Sequence, residues 1–362
     1  MNVCHMTDAH DPFDDRIYLK ECISLKEAGY SVCIVGRGKD CVREGVSIIG
    51  CGEPKGRIDR MLFFSKRVYR KAVSADCEIY HLHDPELLLY ALGLKRLGKK
   101  VIFDSHEDVP AQILDKEWIP MLLRKMISGC YRLYETYVVK RIDAVVAATP
   151  YIAGRFAGRA KKVVTVNNYP KLDDIIFHDT PFQYRERLIC YAGGISKNRG
   201  EDIMVEAMKD LDGVLVLAGE HEKMETERVK YLGYIDRAGI NKLYGRAIAG
   251  FILLLPTANY RNSLPIKMFE YMAAGLPVIA SDFPLWKSIV EENYCGICVD
   301  PSNMGEVRAA CERMLDDVKE GEAMGQAGRK AVLKKYNWNI EEETLMGLYR
   351  ELEKEVKQDG EP

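Results

Sequence analysis

The sequence carries no basic surplus. Its 52 lysines and arginines stand against 54 acidic residues, for a formal net charge of -2. A general nucleic-acid role therefore lacks electrostatic support, and no nucleic-acid partner is expected. A paired cysteine framework is also missing: the 11 cysteines are scattered and odd in number, which points to a reducing compartment. No apolar run approaches the ~18 residues of a spanning helix. The opening MNVCHMTDAHDPFDDRIY lacks the basic start and apolar core of a signal peptide. A cytoplasmic location is expected, with any membrane contact peripheral, at the inner face of the cell membrane. Neither a fixed-period repeat nor a low-complexity segment is visible.

What is present is a chain of 362 residues, 47% apolar and 29% charged, long enough for two domains of roughly 150–200 residues. Short apolar runs alternate with amphipathic stretches. YSVCIVG, EIYHLH, KKVIFDSH and DAVVAAT read as strands, with helical patterns between them. Residues 168–187 break the rhythm with two prolines and no clean period. A second series follows: LICYAGG, GVLVLAG, VKYLG, GFILLLP, PVIAS and GICVD. Two βαβ series predict an α/β protein of two Rossmann-like parallel-sheet domains facing a cleft at the carboxyl ends of the strands. The expected boundaries are 1–170, a linker at 171–187, a second domain at 188–337, and a terminal helical segment at 338–362.

The stretch NSLPIKMFEYMAAGLPVIASD, residues 262–282, carries the most chemistry. Pro265 suits a first helical turn, where its missing N–H is no loss. Asn262 or Ser263 can cap that start. Free amides and the helix dipole there favour an anion. Lys267 adds a full charge, and Glu270 falls on the same face. A carboxylate accepts two hydrogen bonds and suits a pair of ribose hydroxyls. The bland alternative is a surface Lys–Glu pair on a half-buried helix.

This stretch resembles the signature of glycosyltransferase family 4, nucleotide-sugar-dependent enzymes of the GT-B fold. HDPFDDRIYLKECISLKEAGYSV, HLHDPELLLYA, VIFDSHEDVP and YAGGISKNRGEDIMVEAM look like further family segments, so the resemblance covers nearly the whole chain. The likeness is greatest to members that build bacterial surface polysaccharides. It implies an acceptor-binding N-terminal domain, a donor-binding C-terminal domain, and a last helix crossing back onto the first.

Carried over residue by residue, the resemblance puts Glu270 on the donor ribose. Asn262 stands where an acidic residue is usual near the sugar hydroxyls, which leaves the sugar open. Ser263, Leu264 and Pro265 line the same turn. In GGISKNRG, Gly193 and Gly194 open the phosphate loop. Arg199 stands where a phosphate-binding lysine is usual, and Gly194 replaces the usual arginine. Lys267 can supply the missing charge. Tyr234 and Ile235 are candidates for the base. His106 matches the histidine that approaches the donor sugar, so the catalytic set is His106, Arg199 and Lys267. His83 and Asp84 are candidates for acceptor contact, as are Asp15 and Arg16, although Asp14 to Arg16 can instead cap the following helix. A metal at HLHD is not expected, because position 86 is Glu rather than a further His or Asp. CGIC at 295–298 reads as the opening of a strand rather than a redox dithiol.

The implied reaction is retaining transfer of a hexosyl unit, UDP-sugar favoured and GDP-sugar open, to a hydroxyl of a glycan or lipid-linked acceptor. No metal or other cofactor is expected. Two basic amphipathic stretches, 57–71 and 119–141, can lie on an anionic membrane or pack on the sheet with snorkelling cations. Two rivals remain. One is a nucleotide-sugar 2-epimerase of the same fold, for which no clear acid–base pair is seen. The other is a non-catalytic nucleotide-sugar-binding member.

Overall fold

A computed structural model describes residues 1–116, 119–220 and 226–359. The last three positions of the segment expected at 338–362 thus lie outside the described residues. The chain divides into two compact units: Met1–Asn168 with Asn339–Pro362, and Tyr169–Trp338.

Unit 1 is built on eight strands: β1 (Asn2–Met6), β2 (Ser31–Gly36), β3 (Cys41–Arg43), β4 (Val46–Gly50), β5 (Ile79–Leu82), β6 (Lys100–Ser105), β7 (Ala144–Ala147) and β8 (Val163–Thr165). Their order is β3-β4-β2-β1-β5-β6-β7-β8, parallel throughout except for the β3–β4 hairpin. β5, β6 and β7 are buried at every position, as expected where helices cover both faces of a parallel sheet. The strand order reverses between β1 and β5, so unit 1 has its topological switch point there.

Unit 2 carries β9 (Leu188–Ala192), β10 (Val214–Ala218), β11 (Val229–Tyr231), β12 (Ala249–Ile252), β13 (Val278–Ser281) and β14 (Gly296–Val299). The order β11-β10-β9-β12-β13-β14 is wholly parallel. This is a doubly wound order, with its switch point between β9 and β12. The loops leaving those two strands are the ones that hold GGISKNRG and the approach to NSLPIKMFE.

Two expectations need correction. Residues 171–187 are not a free linker. Ile175 and Phe182 are buried in the core of unit 2, and Arg185 lies 4.2 Å over the Phe182 ring. Two short 3₁₀ turns, Leu172–Asp174 and Phe182–Tyr184, replace a regular element, which is why no period shows. The changes of unit fall at 168/169 and 338/339. Beyond the second, helix Trp338–Asp359 packs into unit 1. Its Glu341 accepts from Asn167 N–H (2.7 Å), and its Tyr349 hydroxyl meets His81 Nδ1 (2.9 Å).

Candidate functional site

At the unit 2 switch point, β9 ends and the chain turns through Gly193, whose φ of +134° is one that side chains rarely adopt. A Cβ at Gly193 would lie 2.5 Å from Lys267 Nζ, and one at Gly194 would lie 2.5 Å from Arg199 Nη1. The two glycines therefore make room for two cations. Arg199 folds back so that Nη1 donates to Gly194 O (3.2 Å). Its guanidinium occupies the space of a side chain at position 194, so the arginine missing from that position is supplied from five residues on.

Lys267 Nζ sits 4.0 Å from the centre of the Tyr191 ring, a cation–π contact. Burial, reinforced by the charge of Arg199 and opposed by Glu270, lowers the Lys267 amine to about 7. Neither Arg199 nor Lys267 forms an ion pair among the described residues. The two cations thus lie close together, with the Glu270 carboxylate near enough to oppose the lowering of Lys267 but in no ion pair with either.

The helix that follows is Ile266–Ala273. Pro265 precedes it with extended backbone (φ -70°, ψ 122°), and no side chain caps its start. The expected caps are employed elsewhere. Asn262 ends the preceding turn Ala258–Arg261, and Ser263 Oγ donates to Tyr260 O (2.9 Å). Met268 N–H donates to Pro265 O (3.0 Å), and among the described residues no side chain caps the remaining amides of the first turn.

One turn deeper, Glu270 is 9% exposed. Arg237 Nη1 donates to its Oε1 (2.8 Å), and the Tyr244 hydroxyl stands 3.4 Å from Oε2. Arg237 and Tyr244 were not anticipated from sequence; they arrive from helix Arg237–Arg246. Oε1 is thereby fixed, while Oε2 is held only weakly. Tyr234 is 80% exposed and Ile235 is half-buried. Leu264 is half-buried against the unit 2 core.

Unit 1 concentrates five of the chain's seven histidines around its own switch point. His5 on β1 pairs in register with His81 on β5. His83 lies two residues beyond His81, hence on the same face. The helical segment Asp15–Cys22 covers that face and brings Arg16 and Glu21 to it. Arg16 is 3% exposed. Its Nε and Nη2 donate to the two Asp104 oxygens (2.9 and 3.0 Å), and Nη1 donates to Val166 O (2.8 Å). All three nitrogens are engaged, so Arg16 leaves the acceptor-binding set; it is the buried tie between helix and sheet. Asp14 is the helix cap, accepting from the Arg16 and Ile17 amides. Asp15 stays exposed in the first turn.

Asp84 is likewise turned inward. It accepts from the Thr7 hydroxyl and the Asp8 amide, both at 2.7 Å, and pairs with His10 Nδ1 at 2.9 Å. It shapes the loop after β1 and is buried (1% exposed), which removes it from direct acceptor contact. Burial opposes its charge, but His10 and the Thr7 and Asp8 donors outweigh burial and hold the carboxyl below its ordinary range. For His10, burial opposes the charge, yet the Asp84 contact pushes it up to about 9. His83 also points inward, with its Nε2 2.8 Å from His5 Nδ1. The groups at the mouth are His106, whose Nε2 meets Asp104 Oδ2 at 2.8 Å, and His10. The side chain of His10 is 35% exposed and that of His106 16%.

Burial drives His5, His81 and His83 below their ordinary value, so they are neutral. Burial, then Asp104, drives Glu21 well above its ordinary value. The ligand atoms of His5, Glu21, His81 and His83 all lie within 4.8 Å of one another, as do those of His83, Asp104 and His106. The local spacing at HLHD, with Glu at position 86, supplies no further His or Asp ligand. The residues that cluster with His81 and His83 come from other elements, His5 from β1 and Glu21 from the segment Asp15–Cys22. CGIC offers no redox pair: burial raises Cys295 and Cys298 to about 12.

The basic stretches pack one side and leave the other open. Phe64, Val68, Ser128 and Val138 are buried, whereas Ile58 (73%), Phe63 (65%), Leu122 (84%) and Leu133 (74%) are exposed. No helix among the described residues is long and apolar enough to cross a membrane.

Residues 173–331 match the family model for glycosyl transferases group 1, and residues 20–169 match that for glycosyltransferase family 4. An uncharacterised glycosyltransferase of Methanocaldococcus jannaschii is 26% identical over 176 residues, 44% of each chain, so the match spans under half of that relative. A phosphatidyl-myo-inositol mannosyltransferase of Mycobacterium leprae is 22% identical over 315 residues, 81% of this chain and 79% of its own. The crystal structure of Anabaena HepE in complex with UDP-glucose superposes with a TM-score of 0.72 at 12% identity, covering 97% of this chain and 100% of that one.

Proposed function

The chain belongs to the group 1, family 4 glycosyltransferases with the GT-B fold, and from that premise we propose that it moves a hexosyl unit from a nucleoside-diphosphate sugar to a hydroxyl, with retention of configuration. The observation that carries this reading is the pair Arg199 and Lys267, brought together by Gly193 and Gly194 and in no ion pair among the described residues. A diphosphate satisfies both cations and the free amides at Ile266. Charge that grows on the leaving phosphate is stabilised in place, with no metal needed for that purpose. Glu270, oriented by Arg237, takes the ribose hydroxyls through its weakly held Oε2. Asn262, Ser263, Leu264 and Pro265 line the donor turn, and Tyr234 and Ile235 are assigned to the base. The departing phosphate takes the acceptor proton, so no strong protein base is required. His106, fixed by Asp104, positions sugar hydroxyls.

UDP-sugar is the favoured donor, in keeping with the UDP-glucose bound by the similar Anabaena protein. The acceptor is a glycan or lipid-linked glycan of the kind used in bacterial surface-polysaccharide synthesis. Exposed Ile58, Phe63, Leu122 and Leu133 beside Arg57, Lys66, Arg67, Lys125 and Arg132 support peripheral contact of unit 1 with the anionic inner face of the cell membrane. On the acceptor side, Asp15 remains from the sequence candidates and His10 joins it.

A thermal-shift panel of UDP- and GDP-sugars tests the donor assignment, because a ligand at a hundredfold excess over Kd adds about 2.7 kcal/mol. Stabilisation by a UDP-sugar, followed by acceptor-dependent release of UDP over many turnovers, is the expected result. Conversion of donor alone into a different nucleotide-sugar would make the protein an epimerase.

A further inference from the structure

The unit 1 histidine cluster has no part in holding the diphosphate, yet it is built from five separate contributions. β1 gives His5, β5 gives His81 and the loop behind it His83, segment Asp15–Cys22 gives Glu21, and helix Trp338–Asp359 gives Tyr349. Glu21, His5 and His81 are fully buried and His83 is 2% exposed. Among the described residues neither Glu21 oxygen has a hydrogen-bond partner, nor does His81 Nε2. Arg16 Nε lies 3.1 Å from Glu21 Oε1 but donates to Asp104. Two buried carboxylates therefore share one guanidinium. An uncompensated buried carboxylate is costly, and proteins relieve it with a proton or a cation.

We propose that His5, His81, His83 and Glu21 form a closed structural site for one divalent cation of the zinc class. Glu21 Oε2 stands 3.9, 3.7 and 3.9 Å from His5 Nδ1, His81 Nδ1 and His83 Nε2. His5 Nδ1 and His83 Nε2 are 2.8 Å apart. Metal–ligand bonds of about 2.0–2.2 Å in a tetrahedron place ligand atoms roughly 3.3–3.5 Å apart. These four edges straddle that value, and all the ligand atoms lie within 4.8 Å of one another, so the set closes on an ion by small side-chain adjustments.

The surroundings supply a second contact to two of the three imidazoles, while His81 Nε2 has none among the described residues. Ligating imidazoles present their other nitrogen to a carboxylate or another oxygen. His83 Nδ1 faces Asp104 Oδ2 at 3.4 Å, and His5 Nε2 faces the Tyr349 hydroxyl at 3.4 Å. That hydroxyl bonds His81 Nδ1 at 2.9 Å in this structure and passes to His5 Nε2 when His81 ligates. Three neutral imidazoles and one carboxylate, four ligands with no exposed position, suit a structural rather than a catalytic ion. Such an ion ties the last helix and the first helix to the switch point of unit 1. It is independent of the donor-site reading, because none of its ligands contributes to that site.

The experiment uses the full-length chain, stripped with chelator and titrated with Zn²⁺ and, separately, Co²⁺. One ion per chain is expected, with a rise of several degrees in Tm. The cobalt form should show the visible absorption of four-coordinate nitrogen and oxygen ligation, without a thiolate-to-cobalt band. Glu21→Gln should weaken cobalt binding at least tenfold while far-UV circular dichroism stays native. The cobalt spectrum of the unmutated chain decides the matter if that variant does not fold. Sub-stoichiometric binding would overturn the proposal. So would a thiolate band, which would move the metal to the Cys4, Cys33 and Cys77 cluster, where two sulfurs lie 3.9 Å apart. Unchanged affinity in a folded Glu21→Gln would do the same.

Discussion

Lys267 offers the sharpest handle on the donor site, because burial and Arg199 hold its amine at about 7, well below an ordinary lysine. At pH 7 about half the molecules carry the charge, and at pH 9 only about one in a hundred. A bound diphosphate supplies negative charge, replaces the missing counter-ion and returns the amine toward its ordinary value. The bound state then holds more protons than the free state above pH 7, so affinity must fall as pH rises. With full recovery of the ordinary lysine value, binding weakens about fiftyfold between pH 7 and 9, or ~2.3 kcal/mol. Calorimetry in buffers of different ionisation enthalpy would also register proton uptake, about half a proton at pH 7. The ligand must be an intact nucleotide-sugar, since the terminal phosphate of a free nucleoside diphosphate ionises near neutrality and adds an opposing slope. Lys267→Arg keeps its charge throughout this range and should flatten the profile. A flat profile in the unmutated protein, or the same slope in Lys267→Arg, would refute the reasoning.

Other outcomes follow from the same geometry. Glu270→Gln should lower nucleotide-sugar affinity about tenfold or more, the loss of a charge-assisted contact. Its Tm should change little, because Arg237 is partly exposed and rehydrates; calorimetry and thermal melts check both. Arg199→Ala should lower kcat about a hundredfold at saturating donor, the effect of removing one donor to a developing anion, with partial recovery in Arg199→Lys. His10 has its folded value raised, so its ion pair with Asp84 stabilises fully below about pH 6.5 and the contribution is lost as pH rises through about 9. His10→Gln should therefore cost stability at pH 6 and nearly none at pH 10 relative to the parent. With the side chain 35% exposed, screening limits the difference to about 1 kcal/mol in denaturant titrations. Leu122→Glu with Leu133→Glu should release the protein from anionic vesicles in sedimentation without loss of Tm, since both side chains are exposed.

The parallel sheets were legible because each strand is a short apolar run bounded by turn residues, and the return of the last helix was legible through the family resemblance. Segment 171–187 was not: its packing depends on isolated anchors, Ile175 and Phe182, with no periodic signal. In the donor site, Gly193, Gly194 and Arg199 follow the end of β9 and Lys267 lies in the first turn of helix Ile266–Ala273, and the fold brings them together. Asn262 and Ser263 were misjudged as caps because the helix starts later than the proline suggests. Arg237 and Tyr244 were invisible, since their link to Glu270 is purely tertiary. In unit 1 the H-x-H spacing at 81–83 does place two imidazoles on one face. The register of β1 against β5 that adds His5, and the helix that adds Glu21, lie in pairings that sequence pattern alone does not specify. Arg16 and Asp84 became acceptor candidates through the family resemblance; here each is used up by another buried charge.

The account rests on a diphosphate lodged against Arg199, Lys267 and the amides at Ile266, with Glu270 on the ribose. A crystal structure of the protein with an intact UDP-sugar measures this directly. The predicted result has phosphate oxygens within hydrogen-bond distance of both cations and a ribose hydroxyl on Glu270 Oε2. A nucleotide bound elsewhere, with Glu270 still closed on Arg237 and Tyr244 alone, would contradict it.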